Sequence, residues 1–98
     1  MATKQEVIQQ IAAHVASCGG SHSEWYAGVA TDPRARLFND HSVDEKNGSW
    51  IFRTCSTSDE ARDVEQYFIG RGMKGGPGGG DSSTKAVYAY KITNSTRE

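Results

Sequence analysis

Apolar residues near the start of the chain recur at the spacing of one helical face: Val7, Ile8, Ile11 and Val15. Thr3 followed by Glu6 has the capping-box spacing, in which a hydroxyl and a carboxylate satisfy each other's backbone N–H. The pattern predicts a helix over residues 4–17, stopped by Gly19-Gly20; a short strand from Ile11 to Val15 is the alternative. Trp25 to Ala30 alternates large and small residues and reads as a strand. It runs into Thr31-Asp32-Pro33, where Asp32 can cap a helix and Pro33 suits its first position, since its missing N–H is one the helix leaves unpaired. That helix is expected to reach about His41, burying Leu37 and Phe38. Residues 42–49 are polar, with Asn47-Gly48 as a turn signal. Trp50 to Cys55, aromatic and β-branched, predicts a second strand. Thr57 with Glu60, or Ser58, opens a third helix over 59–69 that Gly70 and Gly72 end. Ala86 to Ile92 predicts a third strand with Tyr88 and Tyr90 on one face. Helices interleaved with strands predict an α/β (α+β) domain, a small three-stranded sheet flanked by helices.

Composition narrows the class. Ninety-eight residues with 36% hydrophobic and 23% charged positions fit one globular domain over 1–98, with a frayed tail over 93–98. The net charge of −1 argues against a broad, sequence-blind nucleic-acid coat but leaves room for a local basic patch. No apolar run approaches a membrane span and the start of the chain lacks a basic-then-apolar leader, so the expectation is a cytoplasmic protein that does not enter membranes. Cys18 and Cys55 are then expected as thiols. His14, Cys18 and His22 recur every four residues, but Gly19-Gly20 interrupts a helix there and a structural zinc site wants a fourth ligand. The one biased segment is the glycine-rich loop within 70–85. It lacks the Gly-Lys-Ser/Thr of a P-loop and precedes a strand rather than a helix. Its N–H groups form either an anion nest, with Ser82, Ser83 and Lys85 near, or a plain flexible connection.

Three residues carry chemistry beyond folding. Glu65 falls on the same stripe of the third helix as Ala61, Val64 and Phe68. A carboxylate there is costly to bury unless it snorkels at the helix edge or meets Arg36, Arg53 or a divalent ion. Arg36 is either a solvated partner of Asp40 at i,i+4 or a guanidinium fork for a phosphate. Tyr26 lies two residues before Gly28, which lets a backbone or ligand approach closely. It is either a core residue with a wet hydroxyl or part of the same site.

Tyr26-Ala27-Gly28, Arg36 ten positions after the tyrosine, His41, and Glu65 within Glu60-Ala61-Arg62-Asp63-Val64-Glu65 resemble the GIY-YIG nuclease domain. Tyr26-Ala27-Gly28 matches its second motif, Tyr-Ile/Val-Gly; Arg36 matches its helix arginine, and Glu65 the metal-binding glutamate. The resemblance implies metal-dependent phosphodiester hydrolysis. One Mg²⁺ or Mn²⁺ on Glu65 would polarise the phosphate, Arg36 would neutralise the phosphoryl charge, Tyr26 would position water or phosphate, and His41 would assist. Nucleic acid, DNA first, or another phosphodiester is the implied partner, with Gly28, Arg34, Arg53, Lys74 and Lys85 as further substrate contacts. A catalytically inactive nucleic-acid- or protein-binding module on the same scaffold is the alternative. The chain departs from the family in two places. The first motif, Gly-Ile/Val-Tyr, belongs ten to fourteen residues before Tyr26, where Ile11-Ala12-Ala13-His14-Val15 stands; its tyrosine is the family's general base, and His14 is either a substitute base or, the more ordinary case, a polar position on a helix. The asparagine that follows the family's glutamate is replaced by the glycine loop.

Overall fold

The computed structural model describes residues 3–19, 21–46, 48–75, 83–94 and 96. Helix α1 (Lys4–Cys18) starts at the capping box: Glu6 N–H donates to Thr3 Oγ1 and Thr3 N–H to Glu6 Oε1, both at 3.2 Å. It buries Val7, Ile11 and Val15, so the strand alternative for that stretch does not form. A 3₁₀ turn (His22–Glu24) leads into strand β1 (Trp25–Ala30). Asp32 caps α2 (Pro33–Ala35), accepting from the Ala35 N–H at 3.2 Å. The remaining elements are β2 (Trp50–Thr54), α3 (Ser58–Gly70), capped by Thr57, and β3 (Ala86–Lys91).

The second helix departs from the regular helix expected up to His41. After one α turn it widens to a π turn over Arg36–Asp40, closed by His41 N–H donating to Arg36 O at 2.9 Å. Ser42 then reverses the chain with φ +56°, a conformation uncommon for a residue other than glycine. The physical reason lies in the side chains: Leu37 and His41 both reach the sheet and are buried, and His41 finds two hydroxyl partners there. Past β3 the chain keeps some ordered contacts. Ile92 N–H donates to Glu24 O at 2.7 Å, and Thr93 and Thr96 close a turn on each other. Residues 95, 97 and 98 lie outside the described residues, as do 76–82 of the glycine loop.

The sheet is antiparallel throughout, with β3 between β1 and β2. Alternation along each strand divides the side chains between two faces. On one face Trp25, Ala27, Val29, Ile51, Val87 and Ala89 pack with the buried stripes of α1 and α3, including Ile11, Val64 and Phe68. Burial of each large side chain there contributes about 1.5–3 kcal/mol. The other face carries Tyr26, Trp50, Phe52, Tyr88 and Tyr90, covered by Leu37, Phe38 and Val43. Beyond α3, Lys74 lies alongside the outer edge of β1. It exchanges backbone hydrogen bonds of 2.9 Å with Trp25 and Ala27, so that edge is paired where the helix returns.

Candidate functional site

The second face of the sheet brings four ring-bearing side chains together. Strand register places Tyr26 opposite Tyr90 and Gly28 opposite Tyr88. The Tyr26 and Tyr90 rings stack with centroids 5.2 Å apart. His41, delivered by the π turn, sits 4.8 Å from the Tyr26 ring, 4.9 Å from Tyr90 and 5.5 Å from Tyr88. Its two nitrogens reach both phenols: Nε2 lies 2.8 Å from the Tyr88 hydroxyl and Nδ1 3.0 Å from that of Tyr90. Tyr88 folds across Gly28 so closely that a Cβ there would stand 2.5 Å from both Cζ and the hydroxyl oxygen. Glycine at 28 is therefore required by the tyrosine of the neighbouring strand. Tyr88, Tyr90 and His41 are buried and form the floor; Tyr26 is half-buried and Arg36 exposed.

Charges converge on one phenol. Burial pushes the Tyr88 hydroxyl up to about 12; Tyr26 and Glu65 add to the rise, while the Arg36 guanidinium opposes it through its charge and a hydrogen bond. Arg36 pairs with Asp40 at 3.1 Å, and that bond together with the two tyrosines holds it still more firmly protonated. Glu65 is 3% exposed, and burial raises its carboxyl above the usual range, against a hydrogen bond from Gln66 and the charge of Arg62. The side chain bonded to the Tyr88 hydroxyl is His41, while Tyr26, Arg36 and Glu65 bear on its ionisation through their charge.

The remaining candidates fall elsewhere. Arg34 pairs with Glu45, and its guanidinium lies over Phe38 at 5.2 Å and Trp50 at 6.0 Å, beside the tyrosine group rather than in it. Lys74 is exposed on the Tyr26 side of β1, and Lys85 is exposed just before β3, its carbonyl accepting from Cys55 N–H. Arg53 does not join the site. It projects toward α1 and donates to Gln10 Oε1 at 2.6 Å, because β2 alternation turns it away from Trp50 and Phe52. The ion pairs of Glu65 with Arg36 or Arg53 are not formed for the same reason of placement: Arg36 holds Asp40 and Arg53 holds Gln10. His14 is on the α1 side, edge-on to Trp25 and 3.6 Å from Cys18 Sγ, where burial and the charge of Arg53 lower its pKa. It lies on the Trp25 face of the sheet, opposite that of Tyr26. His22 stacks on Phe68, away from His14 and Cys18, and both cysteines are free.

Among the described residues no three His, Cys, Asp or Glu side chains assemble for a metal, so a closed zinc-type ligand set does not form. Among the described residues Glu65 is the one buried carboxylate. Motif reading missed Tyr88 and Tyr90 as site residues. The signal was present in their alternate spacing on one face, but only strand pairing shows that this face is also that of Tyr26. Compared with known family models, curated proteins and solved structures, the chain matches none. No helix among the described residues is long and apolar enough to cross a membrane.

Proposed function

We propose that the cluster of Tyr26, Arg36, His41, Tyr88 and Glu65 is a nucleic-acid phosphodiester site of the GIY-YIG kind, cleaving its substrate with one divalent metal. The observation that carries this reading is Tyr88. The motif order asks for a tyrosine ahead of Tyr26, and β3 supplies one from behind it, directly beside β1. Ala86-Val87-Tyr88 keeps the Val-Tyr of the first motif, with alanine in place of glycine. Strand pairing is indifferent to the order of strands along the chain, so a motif carried at the far end serves the same face.

In this reading Arg36, half-exposed in its side chain, turns from Asp40 to grip a non-bridging phosphate oxygen. Tyr26, at the mouth, orients the phosphate, and the Tyr88–His41 pair accepts the proton of the attacking water. Glu65 would hold Mg²⁺ or Mn²⁺, which supplies polarisation of the phosphate and stabilisation of the leaving oxygen. Arg34 and Lys74, exposed on either side, offer contacts to flanking phosphates. Incubating the protein with supercoiled plasmid and Mg²⁺ or Mn²⁺ tests the proposal. Nicking that vanishes in Arg36→Ala and Glu65→Gln while both variants stay folded supports it; intact plasmid under both metals rejects cleavage. The Arg36–Asp40 bond and the protonated Tyr88 favour the second reading, a phosphate-binding module without turnover. That reading keeps salt-sensitive DNA binding lost in Arg36→Ala.

A further inference from the structure

We infer that Phe38, Trp50 and Phe52 form a stacking surface for unpaired nucleobases, so that the substrate of the proposed site is single-stranded nucleic acid. The inference rests on the nucleic-acid reading above and goes beyond it in naming the form of the strand. The three rings sit on the tyrosine face but outside its buried floor. Leu37 and Val43 are buried over that floor, whereas Phe38, Trp50 and Phe52 are each half-buried. The Trp50 and Phe52 planes lie within 7° of parallel, with centroids 6.1 Å apart. Phe38 meets Trp50 edge-on at 5.0 Å, and the indole N–H donates to Glu45 O at 3.1 Å, which fixes that ring. A guanidinium already lies across this surface: Arg34 stands 5.2 Å from the Phe38 centroid and 6.0 Å from that of Trp50. A planar cation in that place marks ring faces that a flat partner can reach.

Charge alone supplies little affinity for nucleic acid here. The net charge is −1, and the two arginines beside this face are each paired with a carboxylate, Arg34 with Glu45 and Arg36 with Asp40. Stacking supplies what charge does not. Every base has a π-face, and removing an aromatic ring on which a base stacks weakens binding roughly 5- to 150-fold. A duplex turns its base faces against one another, so only an unpaired strand can use the rings. Placement agrees with this. Strand register sets Trp50 opposite Tyr90 and Phe52 opposite Tyr88. The rings therefore lie one strand spacing, about 4.8 Å, from the phenols of the proposed phosphate site. A single strand crossing the sheet from Tyr26 toward Phe52 would bring a phosphate to the tyrosines and a neighbouring base to the rings.

Binding measured without metal separates this surface from cleavage. The whole protein is titrated against a labelled single-stranded oligothymidylate and against the same strand annealed to its complement, reading anisotropy and tryptophan fluorescence together. Trp25 is fully buried on the opposite face, so a stacked base quenches Trp50 alone. The single strand is expected to bind roughly tenfold or more tightly than the duplex and to quench the emission, and Trp50→Phe to bind it without a quench. Phe52→Ala is expected to lose roughly tenfold in affinity, as is Phe52→Leu, which keeps an apolar side chain should the alanine variant not fold. Equal affinity for the two forms, a parental affinity in Phe52→Leu, or a quench that survives Trp50→Phe overturns the inference. Plasmid nicking beside any of those results leaves the nuclease reading standing. Single-strand binding on the rings with no nicking under either metal leaves the inference standing and removes cleavage. Binding of neither form overturns both.

Discussion

The two faces of one three-stranded sheet are built to opposite rules. Toward α1 and α3, the strands present Trp25, Ala27, Val29, Ile51, Val87 and Ala89, which meet the aliphatic stripes and Phe68 in an apolar core. Toward the α2 and π turn segment, the same strands present three tyrosines, and a histidine is buried among them with both its nitrogens bonded. Apolar packing needs shape alone. The second face must also satisfy every hydroxyl and ring nitrogen it hides, and it accepts a close approach at Gly28 and a left-handed serine at 42 to do so. The first face holds the fold by apolar packing, while the second holds a placed set of polar groups and bonds both nitrogens of its buried histidine.

That contrast gives measurable differences. The largest concerns the apolar face: Phe68→Ala, at a position 1% exposed, is expected to lose about 3–5 kcal/mol in urea unfolding while leaving cleavage by the folded fraction unchanged. Next is the alkaline limb of stability. Tyr88 has its folded pKa raised to about 12 from an ordinary 10, so above pH 10 the unfolded chain gives up a proton that the folded chain keeps. Stability present below pH 10 therefore falls through the window from 10 to 12, by about 2–3 kcal/mol, and Tyr88→Phe flattens that limb. Gly28→Ala, which sets a methyl group against the Tyr88 phenol, is expected to cost about 1–3 kcal/mol and to displace that ring, lowering activity with stability. The smallest effect has the opposite sign. Burial raises the folded pKa of Glu65, so its favourable contribution is present below its unfolded pKa and is lost as pH rises through the folded one. Glu65→Gln should accordingly be more stable than the parent at pH 7, and no longer so near pH 3, while losing cleavage. A loss of stability at pH 7 would place Glu65 with the structural residues.

Much of the apolar face was legible in the order of residues. The capping box at Thr3 and Glu6, the stripe from Val7 to Val15, Asp32 before Pro33 and the Ala61, Val64, Phe68 spacing are local patterns, and local patterns fix local structure. Glu65 and Arg36 were legible as odd charges, and Tyr26 beside Gly28 as a close approach. The partner of that approach was not, because Tyr88 lies sixty positions further on and only the antiparallel register joins them. The π turn was equally hidden: nothing in Arg36-Leu37-Phe38-Asn39-Asp40 distinguishes it from an α turn until His41 is seen bonded to two phenols. Arg53 alternates with Phe52 along β2, and that alternation sends it toward Gln10 on the other face.

The proposed function puts its chemistry on the tyrosine face, at Tyr88. It is tested most directly by the single-turnover rate of metal-dependent plasmid nicking in Tyr88→Phe, with His14→Ala, on the opposite face, measured beside it. Loss of a positioned proton acceptor predicts a fall of roughly 100-fold or more for Tyr88→Phe, with the fold intact by circular dichroism and a near-parental rate for His14→Ala. A Tyr88→Phe rate within about twofold of the parent, well inside the range of an uninvolved residue, would contradict the account.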